Sequence, residues 1–133
     1  GTSFNRQVWL EVVILNENEI IFETGKVEND EQLDFNDSDL LFFSTFLYDD
    51  QGNVTQNVTD THSIENSSLL AYSSRYINYE KVIPDDVTGQ LSITARLLFR
   101  PFDPDFILDH HPEFIDNLPI YEISSINKNI ILE

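Results

Sequence analysis

Four aspartates in the segment 30–39 are the residues of this sequence best suited to bind a metal ion. Asp30, Asp34, Asp37 and Asp39 lie in a polar stretch with little apolar periodicity, which predicts a loop. Carboxylate oxygens are the ligands that Ca²⁺ prefers, so the four could form a calcium site. The stretch lacks the Asp-x-Asp-x-Asp-Gly order and the terminal Glu of an EF-hand loop. A solvated acidic loop without an ion is the alternative.

The remaining residue types argue against catalysis and against a cofactor held by this chain alone. His62, His110 and His111 do not have the spacing of a metal site, because adjacent imidazoles diverge and no third ligand shares their element. The chain has no Cys, which excludes a disulfide, a cysteine nucleophile and covalent haem attachment. It contains no Gly-x-Ser-x-Gly elbow and no Gly-rich phosphate loop. The sequence therefore favours a protein that is not an enzyme.

Two arginines are prominent because cations are few. The 133 residues include 24 acidic and 7 basic side chains, for a net charge of −17. Arg96 and Arg100 project from the same face of one predicted strand, where they form either ion pairs with nearby carboxylates or a docking patch for an acidic group. The overall charge repels phosphate backbones and anionic lipids, so nucleic-acid and membrane-surface binding are not expected. It suits a basic protein partner, divalent cations or a saline medium.

The strand that carries both arginines is the clearest element of the chain. Within 91–102, apolar Leu91, Ile93, Ala95, Leu97 and Phe99 alternate with Ser92, Thr94, Arg96, Leu98 and Arg100. This period of two predicts one face in a core and one largely wet face. Pro101 ends the strand because it cannot donate to a ladder.

The rest of the sequence predicts further strands separated by turns. They are expected at 8–15, 20–24, 40–48, 54–61, 72–82, 118–126 and 130–132, with turns at 16–19 and 49–53 and a connection at 64–70. Asp103 before Pro104 is typical of a helix N-cap and predicts a short helix over 106–111 that Pro112 ends. Seven to nine strands with at most one short helix predict an all-β fold, an Ig-like antiparallel β-sandwich, in a single domain spanning 1–133.

No segment approaches the roughly 20 apolar residues that cross a bilayer, and no signal peptide is recognisable. A strand-like segment directly follows Gly1, so we expect either an excised piece of a longer protein or a mature chain.

Four segments of the chain follow one another in a characteristic order: 6–12 (RQVWLEV), 22–25 (FETG), 95–104 (ARLLFRPFDP) and 118–123 (LPIYEI). Together they resemble the Cys-free C-terminal β-domain of bacterial multihaem c-type cytochromes. The similarity spans most of the chain and is patchy between 30 and 72. The sequence departs from the pattern in having Asp103-Pro104 where that domain has two prolines, and it contains no Cys-x-x-Cys-His.

The resemblance implies a non-catalytic accessory or assembly domain of an exported multihaem cytochrome electron-transfer system. Such a domain, in the periplasm or at the cell surface, would hold or dock a haem-bearing segment or subunit, and haem would come only from that fused or partner segment. Two alternatives remain open. One is an extracellular module that binds a glycan or a protein, with or without calcium. The other is a self-associating subunit of an extracellular fibre, built by pairing edge strands between copies.

Overall fold

The structure, a computed structural model, describes residues 5–55 and 57–133. Within these residues it contains eight strands in two antiparallel sheets and one short α-helix. The all-β fold with one short helix is thereby confirmed. The strands are β1 (Gln7–Asn16), β2 (Glu19–Thr24), β3 (Leu41–Phe42), β4 (Thr45–Tyr48), β5 (Val54–Thr55), β6 (Ser63–Asn66), β7 (Gly89–Arg100) and β8 (Tyr121–Leu132). The helix is α1 (Pro104–His110).

The larger sheet is built around β1 and β7. Its order is β2-β1-β7-β8, and β3 pairs with β1 beyond the end of β2. β1 and β7 pair along their lengths, from Gln7 opposite Arg100 to Asn16 opposite Leu91. Because directly opposed residues share a face, this register sets which side chains of the two strands meet. The predicted hairpin at 8–24 and the predicted strand at 91–102 are confirmed.

On one face of this sheet, the buried core lies at the end where β1 begins and β7 ends. Trp9 is fully buried, and Leu98 and Leu33 pack with it at 3% exposure each. The acidic loop supplies Leu33, with Val27 and Leu40 on either side of it against the same cluster. The prediction that the Leu98 face is largely wet is therefore wrong at this end, because the loop folds over it.

The opposite face of the sheet bears the alternating apolar set. Val12, Ile14 and Leu91 are buried there, and a cavity of about 500 Å³ lies between this face and the segment from Ile77 to Ile83. That segment is irregular, so the strand predicted over 72–82 is wrong. The segment contacts the acidic loop through a hydrogen bond, 2.9 Å long, that the Tyr79 hydroxyl donates to the Asp39 carbonyl, and through a salt bridge between Lys81 and Asp39.

The smaller sheet has the order β5-β4-β6. The predicted strand 40–48 is divided, since β3 pairs with β1 and β4 pairs within the smaller sheet. The rings of Phe35, Phe42 and Phe46 lie 5.1–5.4 Å apart between centroids and connect the acidic loop, β3 and β4. Aromatic pairs at such distances stabilise the contact beyond the area they bury.

Other boundaries also differ from the sequence predictions. The segment 64–70, predicted as a connection, overlaps β6, and the strand predicted over 54–61 is the short β5 followed by a 3₁₀ turn at Val58–Asp60. The two strands predicted at 118–126 and 130–132 are one strand, β8. The helix is confirmed, with the Asp103 carboxylate accepting from the Asp105 N–H as N-cap and Pro104 in the first turn.

Candidate functional site

Arg100, for which the sequence left open an ion pair or a docking patch, lies inside the protein. It is 0% exposed, and its guanidinium donates to the Gln7 side-chain oxygen from Nε at 2.9 Å and from Nη2 at 2.6 Å. Its Nη1 donates to the backbone carbonyls of Asn29 at 3.2 Å and Glu31 at 2.8 Å. A side chain so enclosed has no surface to offer a partner. Arg100 instead links the end of β7 to the start of the acidic loop through the carbonyls of Asn29 and Glu31.

Gln7 extends this arrangement to the helix. Its Nε2 donates to Asp103 Oδ2 at 3.0 Å and to Gln32 Oε1 at 2.8 Å. Gln32 in turn donates to Asp103 Oδ1 at 2.8 Å and to Asp105 Oδ2 at 2.9 Å. The two amides therefore link Arg100 to the carboxylates at the beginning of α1. We call Arg100, Gln7, Gln32, Asp103 and Asp105 the polar network.

Burial shifts the pKa values of Arg100 and Asp103 within this network. Burial lowers the pKa of Arg100 to about 10, although the negative charges of Asp103 and Asp105 act in the opposite direction and raise this pKa. It raises the pKa of Asp103 above its ordinary value, opposed by hydrogen bonds from the Asp105 N–H and from Gln32. Both shifts have the same cause, since a low-dielectric interior disfavours the charged form of either group.

Arg96 forms the ion pair that the sequence left as one of two interpretations. It lies opposite Glu11 in the β1–β7 register and binds that carboxylate through Nε at 2.7 Å and Nη2 at 2.9 Å. The Arg96 side chain is 39% exposed and that of Glu11 only 7%. The hydrogen bond to Glu11 is the main cause of the raised pKa of Arg96. A role for its exposed portion in docking stays a prediction.

The four aspartates of the acidic loop are spread along it. Asp30 is exposed, and Asp34 accepts from the Asn36 N–H at 2.9 Å in a local turn. Asp37 accepts from the Thr24 hydroxyl at 2.5 Å, and Asp39 forms a salt bridge with Lys81. Within 5–55 and 57–133, no group of three or more His, Asp or Glu side chains is placed to hold a metal ion. Calcium binding by this loop stays a prediction.

The three histidines occupy exposed positions. His62 follows the 3₁₀ turn before β6, and His110 stacks on Phe106 at 4.4 Å between ring centroids. His111 lies 3.6 Å from Glu113. Among the residues that the structure describes, these imidazoles belong to no group of three or more His, Asp or Glu side chains placed to hold a metal ion.

A cavity of about 760 Å³ lies between the smaller sheet and α1. It is bordered by Phe42 and Phe46 on one side and by Asp105, Asp109 and His110 on the other. The lining combines aromatic surface with carboxylates, which suits contact with a basic or amphipathic group.

Sequence reasoning missed Gln7 and Glu11 as partners of the two arginines. It also missed Gln32, which links Gln7 to Asp103 and Asp105. The available signal was alternation: Gln7 and Glu11 lie on the same face of β1 as the buried Trp9, where a polar residue requires a partner. Gln32 has no such signal, because it lies in a loop without periodicity.

With this geometry, the chain can be compared with known proteins. Its fold is similar to the crystal structure of a penta-haem cytochrome c552 from Thermochromatium tepidum, with a TM-score of 0.69 and 20% sequence identity. The match covers 96% of this chain and 31% of that chain. No protein-family profile matches the sequence, and no curated protein matches it. The likeness is one of fold: this all-β chain has a fold similar to part of that cytochrome.

The predicted relation to multihaem cytochromes is thus supported at the level of the fold. The chain spans about a third of the length of that cytochrome, 31%. Among the described residues, no helix is both long and apolar enough to cross a membrane.

Proposed function

We propose that this chain is a non-catalytic, haem-free β-domain of an exported multihaem cytochrome electron-transfer system, in the periplasm or at the cell surface. It holds or docks a haem-bearing segment or subunit. The observation that carries the proposal is the fold shared with a penta-haem cytochrome c552 over 96% of the chain. The sequence patterns at 6–12, 22–25 and 95–104 support the same relation.

The chemistry of the chain is consistent with a domain that carries no covalent haem itself. Without Cys it cannot form the thioether bonds that attach c-type haem. Any haem is supplied by the fused or partner segment, and electron transfer takes place there. The role of this domain is to position and shield that segment.

Rigidity and charge are the two properties that serve this role. The polar network fixes the acidic loop and the beginning of α1 to the larger sheet, so the loop is held in one place. The charge of −17 attracts a basic partner and raises the rate of encounter. Salt weakens that attraction, because the Debye length shortens from about 30 Å at 0.01 M to about 10 Å at 0.1 M.

The test is to purify the gene product from its native cells in low-salt buffer and to measure haem c by the pyridine haemochrome spectrum. Haem c that co-purifies with the chain, on the same polypeptide or on a tightly bound one, is the expected result. A preparation in which the native chain neither carries nor binds a haem polypeptide would contradict the proposal.

Two charge variants test whether the acidic loop meets the partner. Asp30→Asn with Asp34→Asn removes two charges from the loop, and Asp85→Asn with Asp86→Asn removes two from an exposed turn before β7. The association rate with the haem polypeptide should fall more for the loop variant. Equal rates for the two variants would show that docking does not use the loop.

Calcium in the same loop is a separate proposal that rests on the sequence, which supplies carboxylates at Asp30, Asp34, Asp37 and Asp39, although the structure spreads them along the loop. A site would raise the melting temperature in millimolar CaCl₂ above that in NaCl of equal ionic strength, because a ligand that binds only the folded state stabilises it. An unchanged melting temperature would contradict it.

A further inference from the structure

The strand β8 forms an edge of the larger sheet that lacks the usual protection. Among the strands that the structure describes, β7 is the one that pairs with it, from Gly89↔Leu132 to Phe99↔Tyr121. Residues 121–131 of β8 are all exposed. The strand contains no Pro and a single Lys. Its bulge lies near its beginning, so the nine positions of 124–132 continue in regular register. Natural proteins normally shorten, charge or cover an edge of this length.

The opposite edge of the same sheet is protected. β2 has six residues, and it carries Glu19 and Glu23. Carboxylates on a short edge strand oppose the approach of a second strand, above all from another acidic chain. The two edges therefore differ, and head-to-tail pairing of β8 on β2, which a fibre would require, is disfavoured.

β8 is also apolar and locally neutral within a strongly acidic chain. Glu122 and Lys128 are its two charged residues and balance each other, whereas the whole chain carries −17. Ile126 is 71% exposed and Ile131 77%. The register places Ile126 opposite Ala95 and Ile131 opposite Gln90, on opposite faces of the sheet. Two copies can thus approach along β8 without opposing carboxylates and can cover apolar side chains on both faces.

We propose that two copies of this chain pair antiparallel through β8 and form a closed dimer with one continuous sheet. Strand addition supplies the main-chain hydrogen bonds, and the exposed isoleucines supply apolar contact. A twofold axis at Asn127 or Asn129 places Lys128 opposite Ile126 or Ile130 of the other copy, which keeps the two ammonium groups from facing each other. Because the same strand is used by both copies, the contact closes at two and does not extend.

The test is the mass of the chain in solution by analytical ultracentrifugation over a wide concentration range, at about 20 mM and about 500 mM NaCl. We expect a monomer–dimer equilibrium that strengthens with salt, since salt screens the repulsion between two chains of −17. This trend is opposite to that expected for a basic haem partner, so the two proposals fail independently.

A pair of variants assigns the contact to β8. Ile126→Lys with Ile131→Lys places four cations along the seam and should raise the dimer dissociation constant about tenfold or more. The matched control is Val58→Lys with Ile64→Lys, two exposed positions at 58% and 65% on the smaller-sheet side of the chain. It adds the same charge and should leave the dimer at least as stable. Circular dichroism verifies that both variants fold.

A monomer at every concentration, in high salt as in low, would overturn the proposal. So would a dimer that the β8 variant and the control variant weaken equally.

Discussion

Replacing Arg100 by Ala tests whether the polar network holds the acidic loop to the sheet. The substitution removes a fully buried guanidinium that donates four hydrogen bonds, two to Gln7 Oε1 and one each to the carbonyls of Asn29 and Glu31. It also removes the cation whose Cζ lies 5.2 Å from the Trp9 ring centroid.

Two opposing effects determine the size of the loss. Each acceptor left without a partner costs about 1–3 kcal/mol, and the two loop carbonyls can recover part of this if water enters. Burying the Arg100 charge is itself unfavourable, as its pKa of about 10 indicates, so its removal returns some free energy. Breaking a buried charged network typically costs about 3–5 kcal/mol, and we expect Arg100→Ala to lie in that range. Arg100→Lys should lose less, because it keeps the charge and the apolar stem without the planar fork.

Urea unfolding followed by Trp9 fluorescence measures the effect, since the chain has one Trp. Far-UV circular dichroism provides a second probe that does not depend on the indole environment. Arg75→Ala is the control: it makes the same charge change at an exposed residue over the Phe43 ring and should cost less than about 1 kcal/mol. If Arg100→Ala destabilises the protein no more than Arg75→Ala, the network does not hold the loop.

Three further substitutions test other parts of the fold. Gly25→Ala should lower the free energy of unfolding by more than about 2 kcal/mol, because φ is +70° and the new Cβ would lie 2.6 Å from a β1 carbonyl oxygen. The control, Gly52→Ala, has φ +82° and no atom within 4 Å, so it should lower it by only about 1 kcal/mol. Equal losses in urea unfolding would contradict the close packing at Gly25. Leu33→Ala should cost about 2–5 kcal/mol as a buried large-to-small change, and Leu70→Ala, 71% exposed, should cost nearly nothing; a tolerated Leu33→Ala would mean that the loop does not close the core. Burial raises the pKa of Asp103 above 3.8, so the folded state binds the carboxyl proton more tightly than the unfolded state does. The stability that this proton contributes is present below pH 3.8 and is lost as pH rises through the pKa of the folded state. The free energy of unfolding of the parent chain minus that of Asp103→Asn should therefore fall as pH rises through that window, whereas a difference that rises would contradict the direction of the shift.

The regular elements could be predicted because their signals are local. The alternation within 91–102, the hairpin turn at 16–19 and the Asp103-Pro104 cap each depend on a few neighbouring residues, and β7, the β1–β2 hairpin and α1 follow from them. Only part of what the two arginines do could be predicted from the sequence. Their shared face follows from the period of two, but their partners depend on the β1–β7 register.

The parts that escaped prediction are those that tertiary contacts decide. Leu33 lies in an acidic loop without periodicity, and nothing local indicates that it closes the core over Trp9. The segment 72–82 is rich in Tyr and Ile and looks like a strand, yet it packs by side chains without joining a ladder. Gln7 and Arg100 are separated by 93 positions in the sequence, so their contact exists only after the sheet has formed.

The pairing of β1 with β7 also sets how the chain folds. The β1–β2 hairpin can form from adjacent residues, but the second partner of β1 arrives only with residues 89–100, and Trp9 is enclosed after that. Closing so long a loop is entropically costly, and sheets of such non-local pairing fold in about milliseconds to seconds. A nascent chain that has not yet reached β7 exposes an apolar hairpin, so the core around Trp9 can form only after residues 89–100 have been synthesised.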